Sequence, residues 1–210
     1  MIPVETPPAV EQIKLAPSSI KYLFDRCPRC FWLKCRGITH QEKGEFGLAG
    51  EVDAAMKAHF TPEALRDLGV PAVAIRSRAK VTSRILETSI GVGITIAGYP
   101  DCVAELESGS LAPIDFKLTT PRMKGDRHPF ADQVAAYATA LEQPENGEGE
   151  HVECSYVISF TPRPNGAFRV APDRRTCAIR GSLTVEHIEI AVTYTHLRAH
   201  ETGRNPVCRL

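Results

Sequence analysis

Residues 90–118 constrain the fold more than any other stretch of this chain. Two β-branched segments with period-two alternation, 90–106 and 111–118, flank the turn triplet Ser108-Gly109-Ser110. This pattern predicts neighbouring antiparallel strands. A hairpin centred near Gly109 sets Asp101 roughly opposite Lys117, and period two puts Asp115 and Lys117 on one strand face. Asp101, Asp115 and Lys117 then converge on one patch. A register change that keeps parity preserves this convergence, whereas a one-residue slip destroys it.

Paired carboxylates beside an ammonium are costly unless their negative charge is compensated. A hard divalent cation does this naturally, because Mg²⁺ takes oxygen ligands and keeps exchangeable waters. Such an ion polarises a phosphate oxygen and lowers the pKa of bound water, while a lysine orients the nucleophile or stabilises developing charge. The spacing is therefore compatible with phosphodiester hydrolysis. It is equally compatible with a surface ion-pair network, since Asp-x-Lys alone carries little information.

The rest of the chain reads as an α/β protein. Residues 1–16 form an irregular, proline-rich lead-in, and residues 17–210 are expected to be a single domain. Ser18 or Ser19 can cap a helix bearing Ile20, Leu23, Phe24 and Cys27, which Pro28 should kink or end. Residues 48–60 and 62–68 read as helices, 72–88 are ambiguous, and 132–141 is an alanine-rich helix. An acidic connection over 143–150 is expected to be a mobile loop. Residues 152–160 and 167–170 read as a hairpin, and 183–200 as a strand followed by a helix. This order predicts a mixed central sheet flanked by helices.

Three elements in sequence order sharpen the reading. Gly98-Tyr99-Pro100-Asp101 fits G-x-x-D, Asp115-Phe116-Lys117 fits D-x-K, and Gln133 to Tyr137 fits Q-x-x-x-Y. Together they resemble the RecB-type branch of the PD-(D/E)xK nuclease superfamily, which includes CRISPR-adaptation and helicase-associated nuclease domains. The resemblance covers roughly residues 90–140. It implies a restriction-endonuclease-like core and Mg²⁺- or Mn²⁺-dependent cleavage of DNA, with single-stranded regions or ends as the expected substrate. RNA is a further possible substrate, and a helicase, repair or CRISPR component a possible partner. Asp101, Asp115, Lys117, Gln133 and Tyr137 would be the catalytic set, and Asp101, Asp115 and the Phe116 carbonyl would hold the ion.

Relatives often carry G-x-x-H on an earlier helix, with the histidine at the metal. Gly50-Glu51-Val52-Asp53 fits that position with aspartate, so Asp53 is the preferred additional ligand. His59, six residues later and on another helix face, is the rival and reads as an ordinary packed histidine. Near the N-terminus, Cys27-Pro28-Arg29-Cys30 resembles the family's C-P-R segment, where a cysteine joins three near the C-terminus around a [4Fe–4S] cluster. The later pair expected after Cys208 is absent from the sequence, and Cys30 and Cys35 could make up the number with Cys27 and Cys208. Iron–sulfur, Zn²⁺ and simple packed thiols all remain open there.

Bulk charge gives no help, since 25 Lys plus Arg balance 25 Asp plus Glu. A local field must therefore recruit any nucleic acid, and Lys117, Arg122, Lys124, Arg127 and His128 form the basic cluster best placed for it. No apolar run reaches the roughly 18 residues of a membrane span, and the N-terminus lacks a secretory signal, so a cytoplasmic protein without a membrane partner is expected. Two other classes compete with the nuclease. One is an inactive nucleic-acid-binding module of the same fold, and the other a metal–thiolate structural or interaction protein.

Overall fold

The period-two segments of the sequence become the strands that carry the site. A computed structural model describes residues 12–20, 27–38, 47–76, 78–119, 130–162, 168–170, 177–179 and 181–189. In chain order these form β1 (Gln12–Leu15), α1 (Pro17–Ser19), α2 (Pro28–Cys35), α3 (Gly47–His59), α4 (Pro62–Asp67), β2 (Ala72–Arg76), β3 (Val81–Thr82) and β4 (Leu86–Glu87). They continue as β5 (Gly93–Gly98), β6 (Cys102–Leu106), β7 (Leu111–Leu118), α5 (Ala131–Glu142), β8 (Cys154–Pro162), β9 (Phe168–Val170), β10 (Cys177–Ile179) and β11 (Gly181–Glu189).

The main sheet has the order β11-β8-β7-β6-β2. Only β7 and β8 pair in parallel there; the other neighbours are antiparallel. A parallel pair cannot be joined by a tight turn, and α5 lies in the connection between these two strands. A second mixed sheet gathers β1, β3 and β4 along β5, with β1 parallel to it. The mixed α/β architecture expected from the sequence is therefore the one that forms. The single long segment expected over 90–106 divides, because Pro100 interrupts it and sends β5 and β6 into different sheets.

Strand β7 is buried along both faces until Lys117. On one face, Ala112, Ile114 and Phe116 join Met56, Phe60, Leu65 and Ile158 in the largest apolar cluster. Phe60 and Phe116 stack with centroids 4.8 Å apart, tying the end of α3 to β7. On the other face, Leu111 packs with Ala138 and Leu141 of α5. The alanines of α5 allow that close approach.

Local chemistry fixes several boundaries. Thr61 Oγ1 accepts a hydrogen bond from the Ala64 amide at 3.3 Å and Pro62 occupies the first turn, so α4 starts there. Gly109 turns the β6–β7 hairpin at φ +82°.

Four expectations need correction. The lead-in over 1–16 contains β1, whose alternating Ile13 and Leu15 let it add to the free edge of β5. Helix α1 has Ala16 as its N-cap and Pro17 in its first turn, so Ser18 and Ser19 lie inside it instead of capping it, while Pro28 likewise occupies the first turn of α2. Strand β8 pairs with β11 and not with β9, which pairs with β10. The acidic connection after α5 is tied down: the Glu145 amide donates to Thr82 O at 2.8 Å, and Glu150 pairs with Arg76 at 2.5 Å. The stripe at Leu23 and Phe24, the basic residues Arg122, Lys124, Arg127 and His128, the helix expected after β11, and Cys208 lie outside the described residues.

Candidate metal and acid site

The β6–β7 register pairs Cys102 with Ile114, which carries Asp101, one residue before β6, to the level of Asp115. The hairpin was expected to set Asp101 opposite Lys117 instead. The difference is two residues, so parity is kept and the convergence survives. Where β6 has ended, the Phe116 amide donates to Asp101 Oδ2 at 2.9 Å in place of a strand partner. Asp101 thus abuts the Asp115–Phe116 peptide.

Asp115 is only 2% exposed. Gln133 Nε2 donates to its Oδ1 at 2.8 Å, and Lys117 Nζ lies 2.6 Å from its Oδ2. The Lys117 ammonium also sits 4.9 Å from the centre of the Phe130 ring, which precedes α5. The sequence thus brings Asp101, Asp115, Lys117 and Gln133 together as expected. Tyr137, one turn further along α5, is buried beside them, and its hydroxyl donates to Tyr99 O at 3.0 Å, so it fixes the chain two residues before Asp101. Burial, reinforced by the Asp115 charge, pushes its phenol up to about 12 and keeps it a proton donor at neutral pH.

Gly98 has a packing reason to be glycine. A Cβ there would lie 2.9 Å from Pro17 Cδ and 3.1 Å from Tyr137 Cε1. Gly98→Ala should therefore lower stability by ~1–3 kcal/mol through overpacking. Thermal unfolding checks this, and the loss should shrink in a Pro17→Ala background, where the nearest ring is removed.

Asp53 and Lys57 stand one turn apart on α3, and the sequence reading missed the lysine. Lys57 Nζ contacts Asp53 Oδ2 and lies 2.9 Å from Asp101 Oδ1. Burial opposes its charge, but hydrogen bonds to Asp101 and Asp53 outweigh that and raise its pKa. Arg78 is a further cation 3.9 Å from Asp101 Oδ1. The signal for Lys57 was its i, i+4 spacing from Asp53, which places both on one helix face. His59 is exposed at the end of α3, with its ring packed edge-on against Phe60 at 5.5 Å.

Burial pushes the Asp115 carboxyl up from 3.8 to about 7; Lys117 opposes the rise and Asp101 adds to it. A folded pKa above the unfolded one means that stability is fully present below the unfolded value and is lost as pH rises through the folded value. The loss accumulates between about pH 4 and pH 7, on the order of 1–4 kcal/mol. Asp115→Asn removes this titration. Denaturant unfolding in chelator should show wild type losing stability relative to Asp115→Asn between pH 5 and pH 8. A pH-independent difference would contradict the assignment.

The donor set suits a hard divalent ion in its chemistry: every side-chain donor is a carboxylate oxygen, and Asp115 sits where added positive charge would favour its ionised form. The arrangement is not a ready-made cage. Among the described residues, no three His, Cys, Asp or Glu side chains are grouped as metal ligands.

The same holds for the cysteines. Cys27 and Cys30 lie with their Sγ atoms 2.6 Å apart at the start of α2, where the Cys30 amide donates to Cys27 Sγ. Hydrogen bonding between the two thiols, followed by that of the Cys30 amide, holds the Cys27 thiol below its ordinary range. Cys35 is at the far end of α2, where burial pushes its thiol up. Cys102 and Cys154 are packed core thiols.

No family model and no curated protein sequence matches the chain. The fold is shared with the crystal structure of SSO0001, at 12% identity and a TM-score of 0.53, over 90% of this chain and 73% of that one. Among the described residues no helix is long and apolar enough to cross a membrane.

Proposed function

We propose that this chain is a divalent-metal-dependent nuclease that hydrolyses DNA phosphodiester bonds, most readily in single strands or at ends. The observation that carries the reading is the buried Asp115, held between Gln133 and Lys117 and abutted by Asp101. Asp101, Asp115 and the Phe116 carbonyl would hold Mg²⁺ or Mn²⁺, with Asp53 as the further ligand. When bound, such an ion supplies Lewis-acid polarisation of a phosphate oxygen and a more acidic water.

The chain's own residues do the rest. Gln133 fixes the orientation of Asp115 by donating to Oδ1, and Tyr137 anchors the segment that leads into Asp101. Lys117, restrained between Asp115 and the Phe130 ring, supplies the ammonium that orients the attacking water and offsets charge on the phosphoryl oxygens. Cys27 and Cys30 form a soft-ligand corner suited to Zn²⁺ or iron–sulfur, with a structural role apart from hydrolysis.

A second reading has an observation of its own. Lys57 and Lys117 already neutralise much of the acidic cluster, as they would in a nucleic-acid-binding module without catalysis. Binding and cleavage separate the two. End-labelled single- and double-stranded DNA and RNA should be bound in Ca²⁺ and cut in Mg²⁺ or Mn²⁺. Tight binding without cleavage in any metal favours the module.

A further inference from the structure

The two central carboxylates are closely surrounded, although the buried Asp115 Oδ2 lies beside Lys117 without a hydrogen bond. Asp115 Oδ1 accepts from Gln133 and its Oδ2 meets Lys117. Asp101 Oδ2 accepts from the Phe116 amide, and its Oδ1 faces Lys57 at 2.9 Å. A carboxylate oxygen that accepts one hydrogen bond keeps a lone pair for an ion, but an ion placed between Asp53 and Asp101 meets the Lys57 ammonium and must displace it. The Phe116 amide is fixed by β7, a central strand paired on both sides. Gln133 is 3% exposed on α5. Lys57 differs from both, because its ammonium sits at the end of a four-carbon stem with rotatable bonds. It is also the cation shared by two acids from separate elements, Asp53 of α3 and Asp101 before β6.

We infer that Lys57 is an internal counter-ion occupying the position between Asp53 and Asp101 that a divalent ion would take, so that metal entry proceeds by displacing its ammonium. This rests on the metal-dependent reading above and adds a control to it. One positive charge holds the acids together when divalent ions are scarce, and two replace it when they are abundant. Asp53 then serves both states, first as an anchor for Lys57 and then as an oxygen donor to the ion. Metal affinity is then the intrinsic affinity of the acids reduced by the cost of displacing the ammonium, so the site loads at a higher ion concentration.

Mn²⁺ binding is measured by the loss of the free-ion paramagnetic resonance signal in wild type, Lys57→Met, Lys57→Gln and Asp115→Asn. Removing the competing ammonium should tighten Mn²⁺ binding by about tenfold or more, the equivalent of ~1.4 kcal/mol. It should also enlarge the rise in unfolding temperature that Mn²⁺ produces. A measurement on wild type alone guards against misfolded variants. Amine labelling followed by mass spectrometry should modify Lys57 several-fold faster with Mn²⁺ than with chelator.

If wild type binds Mn²⁺ through Asp115 but folded Lys57 variants bind no more tightly, the displacement model is overturned and the metal site stands. Unchanged Lys57 labelling on Mn²⁺ binding overturns it in the same way. If no protein, wild type or variant, binds Mn²⁺, the metal-dependent reading falls together with it.

Discussion

Asp115→Asn is expected to lower metal-dependent cleavage by at least about a thousandfold, or ~4 kcal/mol of transition-state stabilisation. Asn keeps the size and can still accept from Gln133 Nε2, so the β7–α5 contact should persist and the variant should fold. What disappears is the negative oxygen that faces Lys117 at 2.6 Å and would face the ion. Lys117→Met tests the other half of the pair. It keeps most of the stem beside Phe130 and removes the ammonium, so a loss of roughly a hundredfold or more is expected, with Mn²⁺ affinity changed far less. Rates under single turnover, with bound Mn²⁺ measured alongside, separate the two effects. Equal losses of metal binding in both variants would contradict this division of labour.

Phe116→Ala should produce the largest loss of stability. The ring is 3% exposed, stacks on Phe60 at 4.8 Å and lies in the cluster that includes Met56, Leu65 and Ile158. Truncating a buried phenylalanine costs ~3–5 kcal/mol through lost transfer and the cavity left behind. For a chain of this size that corresponds to roughly 6–20 °C in melting temperature. The consequence reaches the site, because Phe60 follows α3, the helix that carries Asp53 and Lys57. Calorimetric or circular-dichroism melts would show it. A shift of only a degree or two would mean that α3 is held to β7 by other contacts.

The part of the site set by strand parity was legible in the sequence. Alternation put Asp115 and Lys117 on one face and Ile114 and Phe116 on the other, and the structure repeats that division. Gln133 came from the Q-x-x-x-Y resemblance, with helical spacing setting it on the same face of α5 as Tyr137. The pairing level of Asp101 did not follow, because turn composition fixes a hairpin's existence better than its register.

Lys57 stayed hidden because its partner is distant in sequence. Asp53 and Lys57 alone look like an exposed helical ion pair, and only the packing of α3 against β7 brings Asp101 into reach. The hydrogen bond from Tyr137 to Tyr99 was hidden for a related reason, since it depends on Gly98 leaving room for the ring. The pairing of β9 with β10 and the capture of β1 by β5 were likewise invisible, since short strands acquire partners from tertiary context that local pattern does not encode.

The central claim is tested most directly by one assay of wild type and Asp115→Asn purified in parallel. Each is incubated with linear DNA labelled at one end, first in chelator and then after addition of Mn²⁺ or Mg²⁺, and product is followed with time. The account predicts that wild type cuts only after the metal is added, and that folded Asp115→Asn leaves the substrate intact over the same period. Cleavage at equal rates by both proteins, or none by folded wild type in either metal, would contradict it.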